Sequence, residues 1–168
     1  DEDWIPQSYS CLMDLDSYAW SAQKAIFSLS PYIKVKIGRY PLAQEQAGVA
    51  HWAEAVHTQG GHLRLDANGG LTLKESQSWV GFLENRPGIA FLEQPLPPQQ
   101  EANLWALAKD TSVRLSLDES LGPPNGLERA LESSWPGLFS IKPALLGFPF
   151  DLLKDPALAP RVVLSCAL

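Results

Sequence analysis

The chain has 168 residues, 45% of them hydrophobic, which is enough for one buried core and too little for two ordinary domains. A balance of 13 basic against 19 acidic residues leaves a net charge of -6 and a pI near 5.0, which excludes a broad basic surface for nucleic acid. No apolar run reaches the roughly 18 residues that would span a bilayer, and the acidic start Asp1-Glu2-Asp3 is the opposite of a secretory leader, so a soluble, cytoplasmic protein is expected.

Short β-branched or apolar runs alternate with helical patterns along almost the whole chain. The first strand, Ser10 to Met13, contains Cys11; with Cys166 it completes the cysteine content, and neither has metal-type spacing, so both read as small reduced thiols. A strand from Tyr32 to Ile37 precedes a helix from about Pro41 to His57, where Val49, Trp52, Ala53 and Val56 form one apolar stripe. After a strand from His62 to Asp66, Thr72 and Glu75 form a capping box ahead of Trp79, Val80 and Leu83. A strand from Ile89 to Glu93 runs into the stiff loop of Pro95, Pro97 and Pro98, and Leu104, Leu107 and Ala108 mark the next helix. Strands follow at Val113 to Asp118, Leu138 to Lys142 and Arg161 to Cys166, with a short helix from Asn125 to Ser134 and another from Phe150 to Ala159 that carries Pro156 in its middle. No linker or low-complexity segment divides the chain, so the pattern predicts one α/β domain of βα units with a parallel sheet.

Charges interrupt these strands at their C-terminal ends. Lys34 and Lys36 lie in the second strand, and Asp66, Glu93, Asp118 and Lys142 close the next four, at steps of 30, 27, 25 and 24 residues from Lys36. In an open sheet the second and sixth strands would stand four spacings of roughly 4.8 Å apart, too far to share a small ligand. A closed eight-stranded barrel brings them face to face, so the expected fold is a (β/α) barrel of TIM type with its charges converging at the C-terminal end. Three carboxylates without a matching histidine or thiolate make a hard oxygen site suited to Mg2+, or Mn2+. His51, His57 and His62 read as helix-surface or strand-start residues with no part in it.

Lys34 and Lys36 are two apart and share a strand face opposite Ile33, Val35 and Ile37, which points the lysines inward; the alternative is an exposed edge strand. A lysine serves as a base only where its neutral amine is populated, and like charge nearby promotes that form. Lys34 and a bound dication would supply such charge to Lys36, which suits abstraction of a proton next to a carboxylate.

Lys-x-Lys, Asp-Ala-Asn, Glu-Gln-Pro, Asp-Glu-Ser and a strand ending in Lys, spread over residues 32 to 143, resemble the enolase superfamily and its muconate-lactonizing subgroup. Ile141-Lys142-Pro143 followed by Gly147 is most similar to the dehydratases of menaquinone and phylloquinone biosynthesis, whereas dipeptide epimerases usually carry Lys-x-Met-Lys there. The resemblance implies that Asp66, Glu93 and Asp118 are Mg2+ ligands. It makes Lys36 the base that takes the α-proton of 2-succinyl-6-hydroxy-2,4-cyclohexadiene-1-carboxylate and returns it to the leaving hydroxide in a syn elimination. Lys34 would hold the substrate carboxylate, and Lys142 would stabilise the enediolate, with a cation–π contact to the ring. Asn68 and Glu119 would stand behind the ligands, and Ser165 would touch the substrate.

The resemblance also implies an N-terminal capping domain and an eighth barrel strand, neither of which is in this sequence. Residues 1 to 168 are therefore expected to be a partial C-terminal barrel domain of about seven βα units, cut from a longer protein. An N-acylamino acid racemase or dipeptide epimerase would use the same residues, and a catalytically silent fragment or scaffold would keep them without using them.

Overall fold

Strand and helix alternate as the patterning predicts. The computed structural model describes residues 31–165 and, for the backbone alone, residues 10–13. In chain order the elements are β1 (Ser10–Met13), β2 (Tyr32–Lys36), α1 (Leu42–His57), β3 (His62–Asp66), α2 (Leu73–Leu83), β4 (Ile89–Glu93), α3 (Glu101–Lys109), β5 (Leu115–Leu117), α4 (Gly126–Glu132), β6 (Leu138–Ile141), α5 (Pro143–Leu146), α6 (Phe150–Lys154) and β7 (Val162–Leu164). Single 3-10 turns occupy Pro98–Gln100, Glu119–Leu121 and Ala159–Arg161. The reading of the cysteines lies outside the described residues, since only the backbone of Cys11 is described and Cys166 is not.

The chain divides into two compact units. The first comprises Asp1–Asp66 and Asn85–Ala90. Within it β1, β2 and β3 pair in parallel, so β2 has a neighbour on both sides and the edge-strand alternative falls away. Ile33, Val35 and Ile37 are buried on one face of β2 while Lys34 and Lys36 take the other. The stripe of α1, Val49, Trp52, Ala53 and Val56, is buried as its spacing requires, and α1 packs on β3. Gly88, at φ 76°, leads into β4 so close to α1 that a Cβ would run into the Ala53 carbonyl oxygen, and its own carbonyl accepts the Leu63 N–H at 2.7 Å.

The second unit comprises Ala67–Glu84 and Phe91–Leu168, in which β4, β5, β6 and β7 pair in parallel in chain order. β5 and β6 are buried on both faces, which is why Leu-Ser-Leu and Leu-Phe-Ser-Ile show no exposed alternation. The Trp135 indole N–H donates to the Leu138 carbonyl at 3.0 Å, and its ring packs on Trp105 at 4.6 Å between centroids.

Two helices of this unit show how local chemistry sets their ends. At the start of α2 the Thr72 N–H donates to Glu75 Oε2 at 2.8 Å, the Thr72 hydroxyl donates to the same oxygen at 2.7 Å, and the Glu75 N–H donates back to Thr72 Oγ1 at 3.3 Å. The expected helix from Phe150 to Ala159 is cut short: α6 stops at Lys154 because Asp155, which precedes Pro156, adopts φ -82° and ψ 115°, the extended geometry that a following proline imposes. Among the described residues no helix is long and apolar enough to cross a membrane.

The hydrogen bonds from Thr72 hold the Glu75 carboxyl below its ordinary value of 4.5. Such a group stabilises the fold above its unfolded pKa and loses that contribution as pH falls through its lowered folded pKa. Thr72→Ala is expected to cost about 1 kcal/mol at neutral pH, with a smaller difference from wild type in acid. Paired thermal denaturation curves at pH 7 and pH 3 check this; an equal difference at both would contradict it.

Candidate functional site

In the first unit the charged residues collect on one strand face. Both Lys34 Nζ and Lys36 Nζ reach Asp66 Oδ2, at 2.7 Å and 2.8 Å, with Asp66 fully buried and the lysine side chains 14% and 22% exposed. The β2–β3 register sets Lys34 beside Arg64 and Lys36 beside Asp66, so this face carries three cations and one anion. Arg64 is buried, and its place there passes unnoticed in the sequence because Leu-Arg-Leu-Asp shows only that it alternates with apolar residues.

The exit from β2 is held by a residue that sequence reasoning missed. Buried Glu45, in the first turn of α1, accepts the N–H groups of Gly38 at 2.8 Å, Arg39 at 2.8 Å and Tyr40 at 3.1 Å. The Ile37 N–H donates to the Asp66 carbonyl at 2.9 Å. The stretch that follows Lys36 is thereby pinned both to β3 and to α1. The available signal was an acid in a first helical turn directly after a Gly-Arg-Tyr loop, a loop with backbone donors to satisfy.

In the second unit the register pairs Glu93 with Ser116, and strand alternation puts Asp118, Ser140 and Lys142 on the same face. Lys142 Nζ lies 2.7 Å from Asp118 Oδ2. Glu93 is fully buried. One residue pair down the strands, the Ser116 and Ser140 hydroxyls bond to each other at 2.8 Å. Asn68 and Glu119 come together, Asn68 Nδ2 donating to Glu119 Oε1 at 2.9 Å. The Ser165 N–H donates to the Ile141 carbonyl at 2.8 Å, which continues the β6–β7 register and sets Ser165 opposite Lys142, just beyond the end of β7.

Two of the three histidines lie on a helix and the third opens β3. His51 and His57 are exposed on α1, and His62 stacks on Tyr32 at 5.8 Å between centroids. Among the described residues no group of three or more His, Cys, Asp or Glu stands close enough together to hold a metal ion. The two aspartates take lysine ammonium groups as their counter-charge instead. In donor chemistry, Asp66 in the first unit and Glu93 and Asp118 in the second are buried carboxylates at strand ends, each an oxygen donor of the kind that a hard dication such as Mg2+ takes.

Parallel βα units whose C-terminal strand ends carry acids and lysines are the building pattern of a (β/α)-barrel domain. Residues 19–147 match the family described as enolase C-terminal domain-like, and the chain belongs to that family. It is 37% identical over 140 residues to an o-succinylbenzoate synthase of Thermosynechococcus vestitus, a match covering 80% of this chain and 43% of that protein. The crystal structure of o-succinylbenzoate synthase from Thermosynechococcus elongatus BP-1, with Mg in its active site, superposes with a TM-score of 0.81 at 32% identity, covering 97% of this chain and 52% of that one. Muconate lactonizing enzyme from Pseudomonas putida shares the fold at a TM-score of 0.73 and 20% identity, over 95% of this chain and 46% of that one. The fold is thus part of a TIM-type (β/α) barrel, as the charge spacing predicts, and the chain spans about half the length of the relatives it matches.

Replacing Glu45 by Ala leaves three N–H groups without their acceptor and is expected to cost about 3 kcal/mol. Glu45→Gln, which keeps an acceptor oxygen, should cost less. Denaturant unfolding of the full-length protein checks both, and a midpoint unmoved by Glu45→Ala would contradict the role of this carboxylate.

Proposed function

We propose that this chain is part of an o-succinylbenzoate synthase, which converts 2-succinyl-6-hydroxy-2,4-cyclohexadiene-1-carboxylate to 2-succinylbenzoate by Mg2+-dependent syn loss of water, in menaquinone or phylloquinone biosynthesis. The observation that carries this reading is the pairing of buried strand-end aspartates with lysines, two on Asp66 and one on Asp118, in a chain 37% identical to such a synthase. The same reading assigns residues 1 to 168 to a partial C-terminal barrel domain of a cytoplasmic enzyme, with a capping domain and an eighth strand elsewhere in the full-length chain.

Asp66, Glu93 and Asp118 would hold the Mg2+. When bound, the ion supplies Lewis-acid stabilisation of a substrate carboxylate. The cationic excess around Asp66, from Lys34, Lys36 and Arg64, favours a carboxylate substrate on that strand face. Lys36 removes the α-proton and then passes it to the hydroxyl as the C–O bond breaks, so that water leaves and the ring becomes aromatic. Lys34 holds the carboxylate beside it. Lys142, fixed by Asp118, presents its positive charge to the electron density that builds on the ring. The Asn68–Glu119 pair supports the ligand-bearing loops, and Ser165, opposite Lys142, contacts substrate.

Full-length protein is expected to dehydrate the cyclohexadiene carboxylate with Mg2+ and to stop when chelator is added. Lys36→Ala should lower kcat by about 10³. A racemase would instead wash solvent deuterium into an N-succinylamino acid, and a silent scaffold would show no turnover and no effect of Lys36→Ala. Either result would overturn the proposal.

A further inference from the structure

We infer that Gln94 is the positioning residue that sets the Asp118 carboxylate relative to Glu93, an inference that rests on the site reading above. Gln94 directly follows Glu93 and is fully buried, at φ 37°, in the left-handed region that a residue with a long side chain seldom adopts. Such a conformation persists only where its surroundings over-determine it. Here they do.

The side-chain amide spends its whole hydrogen-bonding capacity on the turn after β5 and on its own loop. Oε1 accepts the Asp118 N–H at 2.9 Å and the Ser120 N–H at 3.2 Å. Nε2 donates to the Leu96 carbonyl at 2.8 Å and to the Ser120 hydroxyl oxygen at 2.8 Å. Two backbone donors fix which end is oxygen, and one backbone acceptor fixes which end is nitrogen, so only a neutral amide of this length satisfies the site. The backbone of Gln94 adds two more links, its N–H donating to the Ser116 carbonyl at 2.8 Å and its carbonyl accepting the Gly69 N–H at 2.7 Å.

Asp118 is thus held at both ends, its N–H by Gln94 and its carboxylate by Lys142. Because Gln94 is bonded to Glu93, the distance between the two acids is passed through a single side chain rather than through the intervening helix α3. A metal site needs its ligands placed to a few tenths of an ångström, and outer groups that orient ligands typically govern affinity by about 10- to 100-fold.

The test is calorimetric titration of MgCl2 into chelator-treated full-length protein, a readout that does not depend on turnover. Gln94→Met, near in volume and unable to hydrogen-bond, is expected to weaken Mg2+ binding by about 10- to 100-fold and to speed exchange of the Asp118 and Ser120 amide hydrogens. Gln94→Asn, one methylene too short, should weaken it by about 10-fold and serves where Gln94→Met does not fold. Trp135→Phe, which removes the indole bond to the Leu138 carbonyl at the start of β6, the strand end opposite Lys142, is expected to bind Mg2+ as wild type does, which separates positioning from general loss of stability. Wild-type binding that both Gln94 variants leave unchanged would overturn this inference alone. Wild-type protein that takes up no Mg2+ would overturn the functional reading and this inference with it.

Discussion

A carboxylate taken out of water must be paired, and that demand organises the C-terminal ends of these strands. Asp66 is fully buried and Asp118 nearly so, and each carries a lysine ammonium within 2.8 Å. The lysines reach them as amphipathic chains, apolar stems along the strands and partly exposed heads at the rim. Pairs of this kind seldom raise stability, because the cost of stripping water from two ions roughly cancels their attraction. Apolar side chains of equal volume would serve the fold as well, so the repeated expense points to chemistry rather than to architecture.

The βα repeat supplies the means of concentrating such groups. Each strand delivers one or two polar side chains to one face, because alternation sends every second residue the same way, and the apolar residues between them cover the other face. In β2 that division is Lys34 and Lys36 against Ile33, Val35 and Ile37; across β5 and β6 it is Ser116, Asp118, Ser140 and Lys142 against Leu117, Phe139 and Ile141. Parallel neighbours advance in register, so residues at equivalent strand ends lie at equivalent heights within each unit.

This explains what the sequence made legible. Strand ends, strand faces and the helix cap at Thr72 are written in local order, through period-two alternation, a charge at each run's end and a four-residue capping pattern. Glu45 and Gln94 were not legible, although both hold the loops beside candidate residues. Each acts on backbone N–H groups, which every residue possesses, so no partner residue type in the sequence betrays the contact. Gln94 was visible only as the middle letter of Glu-Gln-Pro, and its link to Asp118 spans 24 residues. Arg64 carries no such signal either, since its burial depends on a neighbouring strand that composition does not reveal. The helix expected to reach Ala159 spans Pro156, and the steric veto of that proline on Asp155 ends α6 at Lys154.

The layer beneath the charges matters as much as the charges. Below Asp118 and Lys142 on the same strand face, Ser116 and Ser140 bond to one another through hydroxyls that are buried almost completely. Two hydroxyls that satisfy each other offer no net charge to the ion pair above, and they are small enough to leave Phe139 and Ile141 undisturbed on the opposite face. A charged residue at either serine would compete with Lys142 for Asp118 or with Asp118 for Lys142, and an apolar one would strand its partner's hydroxyl in a dry interior. The neutral, mutually bonded pair is the arrangement that leaves Asp118 and Lys142 to each other at the ends of these strands.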